Sequence, residues 1–172
     1  MNSDDQFEVL EREGRVISCR NEQSSVVVDL KAIVQAAACT LQEESVDAAQ
    51  IDIAVVDDRR IHEVNREFLG HDYPTDVISF CYESDPLEGE LIVSVERACA
   101  VAGEERTDWR AELAWYVVHG TLHVIGYDDG TEPDRRTMRA RERRVMRRLG
   151  WRFPEDDRAS GERRSGSREG KR

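Results

Sequence analysis

Long apolar segments are missing from this sequence of 172 residues. No run approaches the roughly 18–20 apolar residues that a membrane-spanning helix needs. The acidic N-terminus, MNSDDQFEVLEREGR, also lacks the apolar core of a secretory signal. The sequence therefore predicts a cytoplasmic protein with no membrane partner, and its length favours one domain followed by a tail.

Paired-cysteine motifs are missing as well. The four cysteines are Cys19, Cys39, Cys81 and Cys99, and no two of them have C-x-x-C spacing, which excludes a zinc knuckle or a thioredoxin-like motif. In a reducing cytoplasm, free cysteines usually behave as small hydrophobic residues. We therefore expect them to pack in the interior.

Positive charge is scarce over most of the chain. The net charge of −11 divides into −18 over residues 1–130 and +7 over residues 131–172. Eight arginines fall on one predicted helix: Arg135, Arg136, Arg139, Arg141, Arg143, Arg144, Arg147 and Arg148. Such a basic end can hold a polyanion locally. The alternative is a solvated helix face with intrahelical ion pairs to Asp134 and Glu142.

Strand and helix patterns fill the middle of the chain. The predicted strands are Val16–Cys19, Ile51–Val56, Val77–Cys81 and Glu90–Val95. The predicted helices are Val26–Leu41, Asp58–Leu69, Glu96–Ala102, Trp109–Ile125 and Pro133–Leu149. We expect a flexible extension over residues 1–15, a single catalytic domain over residues 16–152 and a disordered, charged tail over residues 153–172.

Two histidines on one predicted helix indicate a metal site. His119 and His123 are four residues apart, so both imidazoles lie on one helix face and can bind one ion. Gly126 permits a sharp turn, and Asp129 follows three residues later. The pattern H-x-x-x-H-x-x-G-x-x-D has the spacing of the long metzincin motif, with Asp in place of the last His. The alternative is one buried, hydrogen-bonded histidine beside one surface histidine.

The predicted ligand set is typical of a catalytic zinc site. Two neutral imidazoles and one carboxylate leave a fourth tetrahedral position open. In H-E-x-x-H proteases, the glutamate after the first histidine is the general base. Gly120 occupies that position in this sequence, which disfavours a protease.

Three segments resemble the YbeY-type bacterial endoribonucleases, which are also described as rRNA maturation factors. His119–Asp129 resembles the family signature H-G-x-L-H-L-x-G-Y-D-H. Asn65–Phe68 with Pro74–Phe80 is similar to the segment L-N-x-x-Y-R-x-x-D-x-P-T-D-V-L-S-F, and Gly89–Ser94 is similar to the strand G-D-I-x-I-S. The likeness spans roughly residues 16–150 in the same order and spacing.

The resemblance implies a fold and a function. It implies an α+β domain with a mixed four-stranded sheet, about five helices and a zincin-like metal helix. It also implies one zinc ion per chain and cleavage of single-stranded RNA. The expected role is rRNA maturation, especially of the small-subunit precursor, together with ribosome quality control, so the expected partners are rRNA precursors and the ribosome or its small subunit.

By position, the resemblance assigns His119 and His123 as zinc ligands that act in catalysis through the metal. Asp129 stands where the family has its third histidine, and an oxygen ligand can replace imidazole on zinc. We expect Asp129 to complete the site, with Asp128 as the fallback ligand. The alternative for Asp128 is hydrogen bonding within the loop.

A second departure lies at Leu69, where the family has an arginine that serves the substrate. Leucine cannot stabilise the negative charge of a scissile phosphate, so Arg66 or His71 is the candidate substitute. The resemblance also places Thr75 and Asp76 beside the metal cleft, where they could support the ligands. Alternatively, Asp76 only caps backbone N–H groups in a turn.

Three functions are therefore compared. The leading hypothesis is a zinc-dependent, single-strand-specific endoribonuclease, with RNA held by the cleft and by the arginines of the last helix. The second is a ribosome-associated RNA-binding factor with little catalysis, which the changes at Leu69 and Asp129 would suit. The third is a zinc metalloprotease, which Gly120 disfavours.

Overall fold

The structure is a computed structural model that describes residues 6–151. Its strands are β1 (Phe7–Arg12), β2 (Arg15–Asn21), β3 (Ala49–Val56), β4 (Val77–Ser84) and β5 (Leu87–Ser94). Its helices are α1 (Leu30–Glu43), α2 (Asp58–Val64), α3 (Val95–Glu105), α4 (Trp109–Ile125) and α5 (Glu132–Arg148). A π-helical turn over Asn65–Leu69 continues α2.

The strands form one mixed sheet in the order β1-β2-β3-β5-β4. The two outer pairs are antiparallel, whereas β2 with β3 and β3 with β5 are parallel. The predicted α+β class with a mixed sheet is confirmed, but the sheet has five strands and not four. Within the described residues, no helix is long and apolar enough to cross a membrane.

The additional strand, β1, lies inside the predicted N-terminal extension, so the expectation of a flexible segment over residues 1–15 is wrong for Phe7–Arg12. A two-residue turn joins β1 to β2, with Arg12 paired to Arg15. Glu13 and Gly14 both have positive φ angles, 52° and 82°, as the tight hairpin turn requires. The predicted tail over residues 153–172 lies outside the described residues.

Apolar side chains on both faces of the sheet form the core. The larger cluster lies between the sheet and α1, α4 and α5. A smaller cluster under α2 contains Ala54, Val56, Ile61, Val64, Ile78 and Ile92. Cys19 and Cys39 are buried as expected, and burial raises the pKa of the Cys19 thiol to about 12. Cys99 is only partly buried, and the expectation of an interior position is wrong for Cys81, which is exposed.

Helix α4 has the predicted bounds. Asp108 caps its N-terminus by accepting a hydrogen bond from the Arg110 amide, and Gly126 ends it with a φ of 115°. The helix lies very close to β4 and β5 at Gly120, where a Cβ atom would be 2.9 Å from side-chain carbons of Leu91 and Val77. Position 120 therefore faces the sheet and not a cleft, which leaves the histidines on a different side of the helix.

Candidate metal centre

His119, His123 and Asp129 form one cluster in which the possible ligand atoms lie within 4.8 Å of one another. The two Nε2 atoms are 3.0 Å apart, and each is 3.9 Å from one oxygen of the Asp129 carboxylate. Tetrahedral zinc with bonds of about 2.0–2.1 Å separates its ligands by about 3.3 Å. The observed separations lie on either side of that value, so small side-chain movements bring all three groups onto one ion.

Hydrogen bonds at the other ring nitrogens leave both Nε2 atoms as acceptors. His123 Nδ1 is 2.9 Å from the Tyr127 carbonyl oxygen, which can only accept, so Nδ1 carries the proton. His119 Nδ1 is 2.6 Å from the Glu142 carboxylate and donates in the same way. In the neutral rings, two lone pairs therefore face each other at 3.0 Å, and they repel unless a proton or a metal ion lies between them. With Asp129 beside them, the three residues fit a metal ion.

Glu142 is a candidate site residue that was not identified from the sequence. It lies on α5, its carboxylate is only 3 % exposed, and it accepts the hydrogen bond from His119. Burial lowers the pKa of His119, but the hydrogen bond to Glu142 and the negative charges of Glu142, Asp129 and Asp76 outweigh it, so the net pKa is raised. A carboxylate behind a histidine ligand fixes the ring and makes it more basic. The sequence alternative in which Glu142 pairs with arginines of its own helix did not include this contact with His119.

The loop after α4 positions Asp129. Asp128 accepts hydrogen bonds from the backbone amides of Asp129 at 2.7 Å and Gly130 at 3.2 Å. Arg135 on α5 donates to the carbonyl oxygens of Asp129 at 3.1 Å and Gly130 at 3.3 Å. Asp128 therefore acts as a loop cap in this structure, and Asp129 is the carboxylate that reaches the histidines.

A cleft of about 330 Å³ opens beside His119, Asp129 and Glu142. Asp76 lines it at the start of β4, and its carboxylate also accepts hydrogen bonds from the Val77 amide at 2.8 Å and the Thr75 hydroxyl at 2.9 Å. Asp76 therefore caps the backbone, as one sequence interpretation predicted, and it also faces the cleft, while its support of the metal ligands stays a prediction. Thr75 contacts Asp76 but does not line the cleft.

Arg66 and His71 are not among the residues that line this cleft. Both are exposed, and His71 stacks on Tyr73 with 5.4 Å between ring centroids. Leu69 is 49 % exposed at the end of the π-helical turn. None of these three positions therefore places a positively charged side chain beside the candidate metal site.

Several arginines of α5 bind another helix. Arg144 and Arg148 form ion pairs with Glu43 at the end of α1, and the Arg144 contact is 2.5 Å long. Arg141 lies 3.6 Å from the carboxylate of Glu44. From the sequence, these arginines could form either a polyanion site or a solvated helix face, but in the structure these three residues contribute to packing between helices.

Comparison with known proteins identifies relatives over most of the chain. Residues 16–150 match the family model described as endoribonuclease YbeY. The chain is 45% identical over 126 residues to the endoribonuclease YbeY of Rhodopirellula baltica, covering 71% of this chain and 65% of that protein, slightly under two thirds of its length. It is 40% identical over 142 residues to the Desulfitobacterium hafniense protein of the same name, covering 76% and 89%.

A solved structure shows the same fold. The solution structure of a Thermotoga maritima protein superposes with a TM-score of 0.59 at 23% identity, covering 91% of this chain and 99% of the other. The fold is therefore shared beyond the closely similar sequences. From the family match and the relatives together, the chain belongs to the endoribonuclease YbeY family.

Proposed function

We propose that this protein is a zinc-dependent endoribonuclease that cleaves single-stranded RNA. The observation that carries the proposal is the pair of Nε2 atoms of His119 and His123, which face each other at 3.0 Å beside the Asp129 carboxylate while both Nδ1 atoms bond to oxygens. Two nitrogens and one oxygen suit zinc and leave a ligand position open. Membership of a family whose relatives are named endoribonucleases supports RNA as the substrate.

Each residue of the site then has a separate task. His119, His123 and Asp129 hold the ion, and a bound zinc ion supplies Lewis-acid chemistry at the phosphodiester. Glu142 holds the proton on Nδ1 of His119 and thereby keeps Nε2 free for the metal. Single-stranded RNA suits the open cleft because an unpaired backbone can bend into it.

The same proposal extends to a cellular role. By family, the substrate is an rRNA precursor, the process is maturation of small-subunit rRNA with ribosome quality control, and the partner is the ribosome or its small subunit. A cytoplasmic location follows from this role. The family match supports these assignments at the level of RNA cleavage.

A binding factor with little catalysis is the second candidate, and Leu69 favours it, because no cation stands at this exposed position. A protease is disfavoured, because Gly120 packs against Leu91 and Val77 and leaves no room for a general base there. The two remaining candidates, the endoribonuclease and the binding factor, differ in whether the protein cuts the RNA that it binds.

The test is cleavage of a labelled single-stranded RNA, with the matching duplex alongside. Zinc-loaded wild-type protein should cut the single strand internally and spare the duplex. A chelator should abolish cleavage, and added zinc should restore it. His123→Ala should lower the rate by about 100-fold or more, because it removes the metal's contribution to the transition state.

His62→Ala is the matched control, since His62 pairs with Asp72 at 2.8 Å and is no member of the metal cluster. It should cut as fast as the wild type. A zinc-loaded protein that binds the single strand but leaves it intact would overturn the nuclease and support the binding factor.

A further inference from the structure

Helix α5 presents its arginines on two different faces. Arg141, Arg144 and Arg148 recur at spacings of three and four, and they pair with Glu43 and Glu44 of α1. These three guanidinium groups share two carboxylates, whose side chains are only 4–6 % exposed. This face of α5 therefore has a packing role.

The second face of α5 looks into the metal cleft. Arg135, Arg139 and Glu142 recur at spacings of four and three, and all three line the cavity beside His119. We call these three residues the cleft face. Glu142 contacts His119, and Arg139 precedes Glu142 by three residues on α5. The backbone of Arg139 is therefore about one helical turn, or about 5.4 Å along the helix axis, from the residue that contacts His119.

The two arginines of the cleft face differ in what they bind. Arg135 donates to the carbonyl oxygens of Asp129 and Gly130 and pairs with Glu132 at 3.3 Å, so its charge is used to hold the loop. Arg139 is exposed, and within residues 6–151 no carboxylate or carbonyl oxygen is bound to it. A guanidinium group that lines a cleft and has no partner among the described residues is available to an anion.

We propose that Arg139 forms a phosphate-binding subsite, which holds a backbone phosphodiester of single-stranded RNA in the metal cleft. The inference rests on the proposed function. It identifies Arg139 as the positively charged side chain that would bind the phosphate of the RNA. Guanidinium groups match the two exposed oxygens of a phosphodiester with paired hydrogen bonds. Arg66 and His71 do not line the cleft, whereas Arg139 shares it with His119 and Asp129.

The experiment measures equilibrium binding of a fluorescein-labelled, unstructured oligoribonucleotide with cleavage-resistant linkages to the zinc-loaded full chain, with the RNA checked for integrity afterwards. Arg139→Gln should weaken binding about tenfold or more, because it removes charge-assisted hydrogen bonds to phosphate. It should also reduce the dependence of log affinity on log salt by about 0.7 for one lost phosphate contact. Zinc content and thermal unfolding should match the wild type.

Arg136→Gln is the matched control. Arg136 is the same residue type on the same helix, it is exposed, and it does not line the cleft. Weakening in Arg139→Gln with an unchanged Arg136→Gln supports the subsite. Equal binding by Arg139→Gln and wild type, or equal weakening in both variants, overturns the subsite while RNA binding stands. Failure of the zinc-loaded wild type to bind the RNA overturns the proposed function together with the subsite.

Discussion

Glu142 fixes the side of His119 that faces away from the metal cluster. Its carboxylate is buried and lies 2.6 Å from Nδ1, so the ring is held in one tautomer with Nε2 directed at His123 and Asp129. In the sequence, Glu142 is one acid among many arginines, 23 residues after His119. Only the packing of α5 on α4 brings the two residues together. The spacing of residues along the sequence does not predict such a contact.

Changing Glu142→Gln should weaken zinc binding by about 10–100-fold. The amide oxygen can still accept the hydrogen bond, but the negative charge that makes the imidazole a stronger ligand is lost. The measurement is a competition titration against a chromophoric chelator. Glu104→Gln, at an exposed position on α3, is the control for losing one carboxylate. An unchanged zinc affinity in Glu142→Gln would contradict the assignment.

Glu112, which lines the same cleft, gives a pH-dependent stability. Burial raises the pKa of its carboxyl group above the usual 4.5, repulsion from Glu105 raises it further, and a hydrogen bond from Thr107 lowers it in part. The folded state therefore holds this proton more tightly than the unfolded state. The resulting stability is present below pH 4.5 and is lost as the pH rises through the raised pKa.

Glu112→Gln stays neutral, so the variant should gain stability relative to the wild type as the pH rises from 4 to 7. Thermal unfolding of both metal-free proteins across this range measures the difference, with Glu104→Gln as the control. A difference in stability between the two proteins that stays constant with pH would contradict a raised pKa for Glu112 in the folded state.

At the scale of elements, α4 carries the two histidines of the site and packs closely against the sheet at Gly120. Its bounds could be predicted, since Asp108 and Gly126 are strong end signals and the apolar period between them is long. Strand β1 could not be predicted in the same way. Phe7 and Val9 are 55 % and 40 % exposed, and the turn has Glu13 where Asn or Asp is usual.

Gly120→Ala tests the close approach of α4 to the sheet. The new methyl group would lie 2.9 Å from Leu91 and Val77, an overpacking that typically costs about 1–3 kcal/mol. Gly103→Ala on α3 is the matched control, because a Cβ there meets nothing within 4 Å. Both changes gain about 1 kcal/mol of helix propensity, so the difference between them in urea unfolding isolates the contact. Equal stabilities would contradict this packing.

At the scale of the whole molecule, the proposed function requires an acidic chain to bind a polyanion. The grouping of His119, His123 and Asp129 could be predicted from residue spacing. The division of the α5 arginines into two faces could not, because it depends on where α1 and α4 lie. Four carboxylates line the cleft, Asp76, Glu112, Asp129 and Glu142. Two arginines, Arg135 and Arg139, oppose them, so a bound divalent cation would offset the excess negative charge.

Metal removal should therefore weaken RNA binding as well as cleavage. Chelator-treated protein should bind a single-stranded oligoribonucleotide about tenfold more weakly at low salt, because the carboxylates then repel the phosphates. Added zinc should restore the affinity, and the effect should shrink as salt screens the charges. In His123→Ala the chelator should change nothing. Tighter binding by the metal-free protein would contradict this balance of charge.

We infer that His119, His123 and Asp129 together hold one zinc ion. The most direct test is elemental analysis of untagged protein, with Asp129→Ala, His123→Ala and the control His62→Ala purified in the same way. About one zinc per chain in the wild type and His62→Ala, lost in the other two variants, is the predicted result. A wild type that holds no zinc even after zinc loading, or an Asp129→Ala variant that keeps its zinc, would contradict the claim.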